Sequence, residues 1–250
     1  MPGIGARGWR ELAVGAAEIL GEEWVLAGKG ASTRLVRAPV GWWLQFVGYE
    51  DTRLGRLIAY NTFLGRPPHA SQSGDGPPTI SDHFIMPNDS YPRPFEEMQT
   101  PQMVAEWITA VTHECFSRRT SDLPVQMNEL EDVRVSWESS DIDPFEGAAL
   151  QWLVSMRVVC GSRSRDELLD DIDAVLADRF LEANMPYAST RKNPRTYQEY
   201  FTALRAAVAS GDRGAVETVI REARTDSLRL LGVPDEAIGD VVFPEPQVSL

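Results

Sequence analysis

Leu150, Trp152, Val154, Met156, Val158 and Cys160 are six apolar residues in strict alternation, and the positions between them, Gln151, Leu153, Ser155, Arg157 and Val159, are mixed. Neighbours on a helix sit about 100° apart, so a period of two predicts a long strand over 150–160 with one face under a core. Val133, Val135 and Trp137 alternate in the same way and predict the preceding strand, with 139–147 as the turn of the hairpin. Near the start, Trp9, Leu12, Ala13, Ala16, Ile19 and Leu20 are spaced as one helix face, and Gly21 is placed to end that helix. Short β-prone segments follow at 23–27, 33–38, 42–50 and 56–64, the last after the turn Asp51-Thr52-Arg53, and predict an antiparallel meander. The 42–50 strand carries Trp42, Leu44 and Phe46 on one face and Trp43, Val47 and Tyr49 on the other, so water is expected to be excluded from both sides.

Regularity fails over 65–99, where Ser71 to Pro78 is a Ser/Gly/Pro run and Pro87, Pro92 and Pro94 follow, leaving at most a short strand at 79–86. A loop of this length inside a compact domain is expected to be either a clamp or binding element or a disordered or plain surface excursion. A helix then restarts with Thr100 as N-cap and Pro101 at the first helical position, its stripe formed by Met103, Val104, Trp107, Ile108, Val111, Cys115 and Phe116. Ser164-Arg165-Asp166-Glu167 is a capping box that launches a helix with Leu168, Leu169, Ile172, Val175, Leu176 and Phe180 on one face. Asn193 and Pro194 are expected to start a further helix through Tyr197, Tyr200, Phe201, Leu204 and Val208, and Ser210-Gly211-Asp212 turns into another with Val216, Val219, Ile220 and Ala223. The predicted class is α+β, an antiparallel sheet in αβββ-loop-αββα order with a C-terminal helical hairpin. The expected division is 1–183 as a sheet domain containing the 65–99 loop, 184–235 as the hairpin packed on it, and 236–250 as a tail.

At 250 residues the chain has the length to bury a core without disulfides or metal. Its two cysteines, Cys115 and Cys160, fall on apolar faces and read as buried hydrophobes. Arg7, Arg10, Glu11 and Glu18 interrupt the first twenty residues, and no stretch approaches the eighteen apolar residues of a membrane span, so a cytoplasmic protein is expected. A net charge of −13 and a pI near 4.7 set the overall field against nucleic acid and anionic membranes and favour a basic partner or simple solubility.

Most candidate chemistry fails on geometry. His113, Glu114 and Cys115 are consecutive on a predicted helix and cannot converge on one metal, and His83 beside Asp82 in a strand points to the opposite face. Gly28-Lys29-Gly30-Ala31-Ser32-Thr33 lacks the upstream glycine of a phosphate loop and reads as a turn between strands. Asp141, Asp143 and Glu146 form the best acidic cluster for a divalent cation, although an Asp-rich turn before Pro144 is ordinary turn chemistry. Asp170, Asp171, Asp173 and Asp178 read as a solvated helix face, and Arg191, Lys192 and Arg195 near Tyr197 as a solvated helix start. No cofactor is implied.

The order αβββ-loop-αββα, with 42–50 as central meander strand, 100–116 as middle helix, and the 133–137 and 150–160 hairpin before the Ser164-capped helix, resembles the secretion-chaperone-like fold of YbjN-type proteins and type III secretion chaperones. The resemblance covers about Trp9 to Glu182 and lies in element order alone. It implies an acidic, often dimeric protein that binds other polypeptides without catalysis. The leading expectation is thus a chaperone- or adaptor-like module that holds a partner polypeptide, with Trp42, Trp43, Tyr49, Phe84, Tyr91 and Phe95 as aromatic anchors. Its alternatives are an acidic inhibitor or immunity protein, a divalent-metal enzyme using 141–146, and a structural subunit of a larger assembly, with a homodimer face as the competing use of the helical stripes.

Overall fold

A computed structural model describes residues 6–50, 56–65, 93–94, 99–112, 122–137, 148–178 and 196–248. Within them the chain divides into two compact units, one taking the stretches up to 62, 93–112 and 228–240, the other 63–65, 122–227 and 241–248.

The first unit follows the meander that the short β-prone segments predict. Helix α1 (Ala6–Leu20) is followed by β1 (Trp24–Ala27), β2 (Arg34–Arg37), β3 (Trp43–Glu50), β4 (Arg56–Phe63), the two-residue β5 (Arg93–Pro94) and α2 (Pro101–Val111). The strands lie in chain order in one antiparallel sheet, with Leu26 opposite Leu35 and Leu35 opposite Val47. That register places Trp24, Leu35 and Val47 on one face, and this face meets Trp9, Ala13 and Ala16 of α1 and Val104, Trp107, Ile108 and Val111 of α2. Gly21 ends α1 with a positive φ of 82°, and Thr100 caps α2 by accepting from the Met103 amide at 3.2 Å. Ile19 and Met103, placed on the buried stripes by spacing, are instead exposed. On the opposite face Val36 and Leu44 are each 1% exposed, so water is excluded from both sides of the sheet at these positions, as the two-sided apolar pattern implies.

The second unit is helical: α3 (Leu123–Trp137), α4 (Ala148–Cys160), α5 (Arg165–Ala177), α6 (Tyr197–Ala209) and most of α7 (Arg213–Leu230). The class is α+β with an antiparallel sheet, but the hairpin expected at 133–137 and 150–160 is not formed, because both segments are helical. Every residue from Gln151 to Cys160 is buried. A helix enclosed on all sides has no polar face, so its sequence carries no 3.6-residue stripe, and alternation arises among positions that are nearly all apolar. Of the polar residues in the run, Ser155 is absorbed locally, its Oγ donating to the Gln151 carbonyl at 2.7 Å. Helix α4 packs against α3 and α5, and α5 in turn against α6. Helix α5 begins at the expected box, with Ser164 and Glu167 each accepting from the other's backbone amide. Helix α6 begins at Thr196, whose box partner is Glu199, rather than at Asn193 and Pro194.

Candidate functional site

Of the six aromatic side chains expected to be anchors, Trp42, Trp43 and Tyr49 lie among the described residues. Trp42 is 9% exposed, Tyr49 packs against the core of the first unit, and Trp43 is half-buried on β3. Phe84, Tyr91 and Phe95, and the cation candidates Asp141, Asp143 and Glu146, lie outside the described residues, as do His69, His83, His113, Cys115 and the basic residues 191–195. Among the described residues no group of three or more His, Cys, Asp or Glu is placed to hold a metal ion, and no helix is long and apolar enough to cross a membrane. Gly30–Ser32 forms a short turn of 3₁₀ helix, closed by Ser32 Oγ donating to the Lys29 carbonyl at 2.7 Å and Thr33 Oγ1 to the Gly30 carbonyl at 2.8 Å, as a turn between strands requires.

The charged centre of the second unit is Arg157, in the middle of the buried helix α4. Its Nε and Nη2 donate to the two carboxylate oxygens of Glu131 on α3 at 2.7 and 2.8 Å, and its Nη1 to both oxygens of Asp171 on α5 at 2.9 and 3.0 Å. Arg163 adds a donor to Glu131 at 3.2 Å. Planar guanidinium geometry thereby joins three helices at one point, which an ammonium would not do. Burial pushes the Asp171 carboxyl above its ordinary value against the pull of Arg157. For Arg157 the cost of burial is outweighed by its hydrogen bond to Glu131 and the two carboxylate charges, which hold the guanidinium above its own ordinary value. Asp171 is therefore a paired interior group and not part of a solvated face. The signal in the sequence was a lone arginine inside an apolar run, which demands counter-ions from neighbouring elements.

Cys160 is fully buried, with its thiol pushed up to about 12 by desolvation, and is inert as expected of a packing cysteine. On the outer side, Arg205 of α6 pairs through two nitrogens with Asp173 of α5, the Nη2 to Oδ2 distance being 2.8 Å. That hydrogen bond holds the Asp173 carboxyl below its ordinary 3.8. A folded value below the unfolded one stabilises above the carboxylate range and is lost as pH falls through the depressed value. Asp173→Asn is expected to flatten the acid-side decline of the urea midpoint between about pH 5 and pH 2. Superimposable profiles for variant and parent would show that the pair contributes nothing measurable.

A second constellation surrounds Phe243. The guanidinium carbons of Arg213 and Arg221, in the first and third turns of α7, lie 5.5 and 4.8 Å from the ring centroid, and Glu217 pairs with both at 3.4 and 3.6 Å. Arg213 also donates to the Val158 and Val159 carbonyls at 2.8 and 2.7 Å, placing a cation on the last turn of α4. The stretch expected to be a tail makes specific contacts here, with Arg221 Nη1 donating to the Val241 carbonyl at 2.7 Å and the Val248 amide to the Gly161 carbonyl at 3.0 Å.

Among the described residues of the helical unit, Arg157, Arg163, Arg205, Arg213 and Arg221 thus pair with carboxylates, whereas Glu129 and Asp132 on α3, Asp166 and Asp170 on α5 and Glu222 on α7 are exposed. No protein-family description, curated protein or solved structure matches this chain.

Proposed function

We propose that the chain is a non-catalytic, adaptor- or chaperone-like protein that holds a partner polypeptide, and that its carboxylate surface selects a basic one. The supporting observation is the use of arginine: Arg157, Arg163, Arg205, Arg213 and Arg221 are each engaged by carboxylates of the same unit, while Glu129, Asp132, Asp166, Asp170 and Glu222 stand exposed in a chain of net charge −13. Burial of Trp42 and the packing of the half-buried Tyr49 against the core move the weight from apolar anchors to charge. Such a surface raises the encounter rate with a cationic partner and loses that gain as salt screens it.

The test is capture of polypeptides from the source lysate on the immobilised full chain, followed by association kinetics with the recovered partner. The on-rate should fall at least about tenfold between low and half-molar salt, and Asp170→Lys with Glu222→Lys should slow it at low salt. A salt-independent rate, or no retained polypeptide, would refute the reading. Stabilisation by millimolar Mg²⁺ or Ca²⁺ that disappears in Asp141→Ala with Asp143→Ala would favour the metal-dependent alternative.

A further inference from the structure

We infer that residues 241–248 occupy, within their own chain, a peptide-recognition groove whose other ligand is an extended aromatic-Pro-acidic-Pro segment of the partner polypeptide. The inference rests on the polypeptide-binding reading above and adds the place and the chemistry of one contact.

The groove is built from parts that read a backbone. Helix α4 ends in a double turn, the Gly161 amide donating to the Val158 carbonyl at 3.3 Å and the Ser162 amide to the Arg157 carbonyl at 3.2 Å, with Gly161 at φ 56°. The missing side chain leaves a floor on which Pro246 sits, since a Cβ at Gly161 would stand 2.5 Å from the proline Cβ. At one end Arg221 donates to a main-chain carbonyl, and at the other the Gly161 carbonyl accepts a main-chain amide. Between them the Phe243 ring is flanked by two guanidinium groups that Glu217 and the end of α4 hold in place. Backbone donors and acceptors at fixed spacing, a cationic clasp for one ring and a bare floor for proline are the means by which extended proline-containing peptides are recognised.

Much of the occupant is nonetheless open to solvent. Val241 is 5% exposed, but Val242 is 83% exposed, Phe243 is half-buried, and 245–248 are all exposed. A segment with few buried apolar contacts opens without unfolding the helices beneath it. Tethering gives it an effective concentration on the order of millimolar, so a segment supplied by another chain competes against it, and its apparent affinity is lowered by the fraction of time the groove is filled. The strap therefore sets a threshold that a partner also engaged by the acidic surface can exceed.

The experiment uses the full chain and a fluorescent peptide with the sequence of residues 240–248, followed by anisotropy. Phe243→Ala in the full chain weakens the tethered competitor and should bind the peptide at least about tenfold more tightly than the parent, while the same peptide carrying alanine in place of phenylalanine binds neither. Equal affinity for parent and variant, or no binding to either at about millimolar peptide, overturns the inference. Should the variant fail to fold, amide exchange on the parent decides: the Val248 amide exchanging well ahead of the α4 amides supports an opening strap, and equal protection overturns it. A mass that doubles with concentration and reverts on adding peptide would assign the groove to a second copy of the chain and likewise overturn the partner assignment. A recovered partner with salt-dependent binding that the peptide does not displace would overturn this inference and leave the acidic-surface reading standing. Peptide binding to Phe243→Ala without any recovered polypeptide would overturn the acidic-surface reading and, with it, the assignment of the groove's other ligand to a partner.

Discussion

Replacing Arg157 with methionine is expected to lower the stability of the helical unit by about 3–5 kcal/mol at neutral pH, the range for breaking a buried ion pair by removing one partner. The Arg157 side chain is 6% exposed and those of Glu131 and Asp171 23%, so the loss is not one of a screened surface bridge. Methionine fills much of the space but leaves two partly buried carboxylates with Arg163 as the remaining cation at 3.2 Å from Glu131. The penalty should depend on pH in a defined direction. Burial already raises the Asp171 carboxyl, and removing the guanidinium that opposes that rise moves it further up. A folded value raised above the unfolded one favours the folded state at low pH and loses that benefit as pH climbs through the raised value. The gap between variant and parent in urea melts should accordingly narrow from pH 7 toward about pH 5. Adding Glu131→Gln and Asp171→Asn to the variant should recover much of the loss, because neutral amides no longer require a counter-ion. A penalty below about 1 kcal/mol at pH 7 would place the cluster among the ornamental surface pairs.

The contrast between the two units shows where local pattern specifies structure in this chain. In the sheet each strand has distinct faces and short connections, so alternation located the four meander strands to within a residue or two at each end, from Trp24 to Phe63. The Thr100 and Ser164 caps were visible because capping is a contact between residues three apart. Helices α3 and α4 were obscured by different causes. For α4, burial of all ten residues from Gln151 to Cys160 erased the polar face that would have set a helical period. Its thirteen-residue length and the Gly161 after it were the available signs, since strands of that length are uncommon and glycine favours the position just past a helix. For α3, alternation at 133–137 hid a helical stripe that begins earlier: Leu123, Met127 and Leu130 are all buried at spacings of four and three. The start is marked by Asp122, whose carboxylate accepts from the Val125 amide at 3.3 Å, and by Pro124 in the first turn. The Arg157 cluster joins residues 26 and 14 positions apart, so it became legible only once these two helices were placed.

In the first unit the largest effect is expected at Trp9. Its side chain is fully buried, and its indole Nε1 donates to the Thr33 carbonyl at 2.8 Å, tying α1 to the residue just before β2. Trp9→Ala should cost about 3–5 kcal/mol, combining lost transfer energy with a cavity that the helices and sheet cannot fully close. Trp9→Phe separates the two contributions. It keeps an aromatic ring in the core but leaves the Thr33 carbonyl without its donor, in a residue that is 2% exposed, and should cost about 1–3 kcal/mol. If the phenylalanine variant matches the parent in thermal and urea melts, the hydrogen bond contributes nothing net and Trp9 acts through volume alone. If it falls as far as the alanine variant, the tie to Thr33 is what orients α1 on the sheet, and the seat shared by Ala13, Ala16 and the α2 residues Val104 and Ile108 depends on it. The intermediate outcome is the one expected, because a ring of similar shape retains most of the dispersion contacts while a buried carbonyl still bears its desolvation cost.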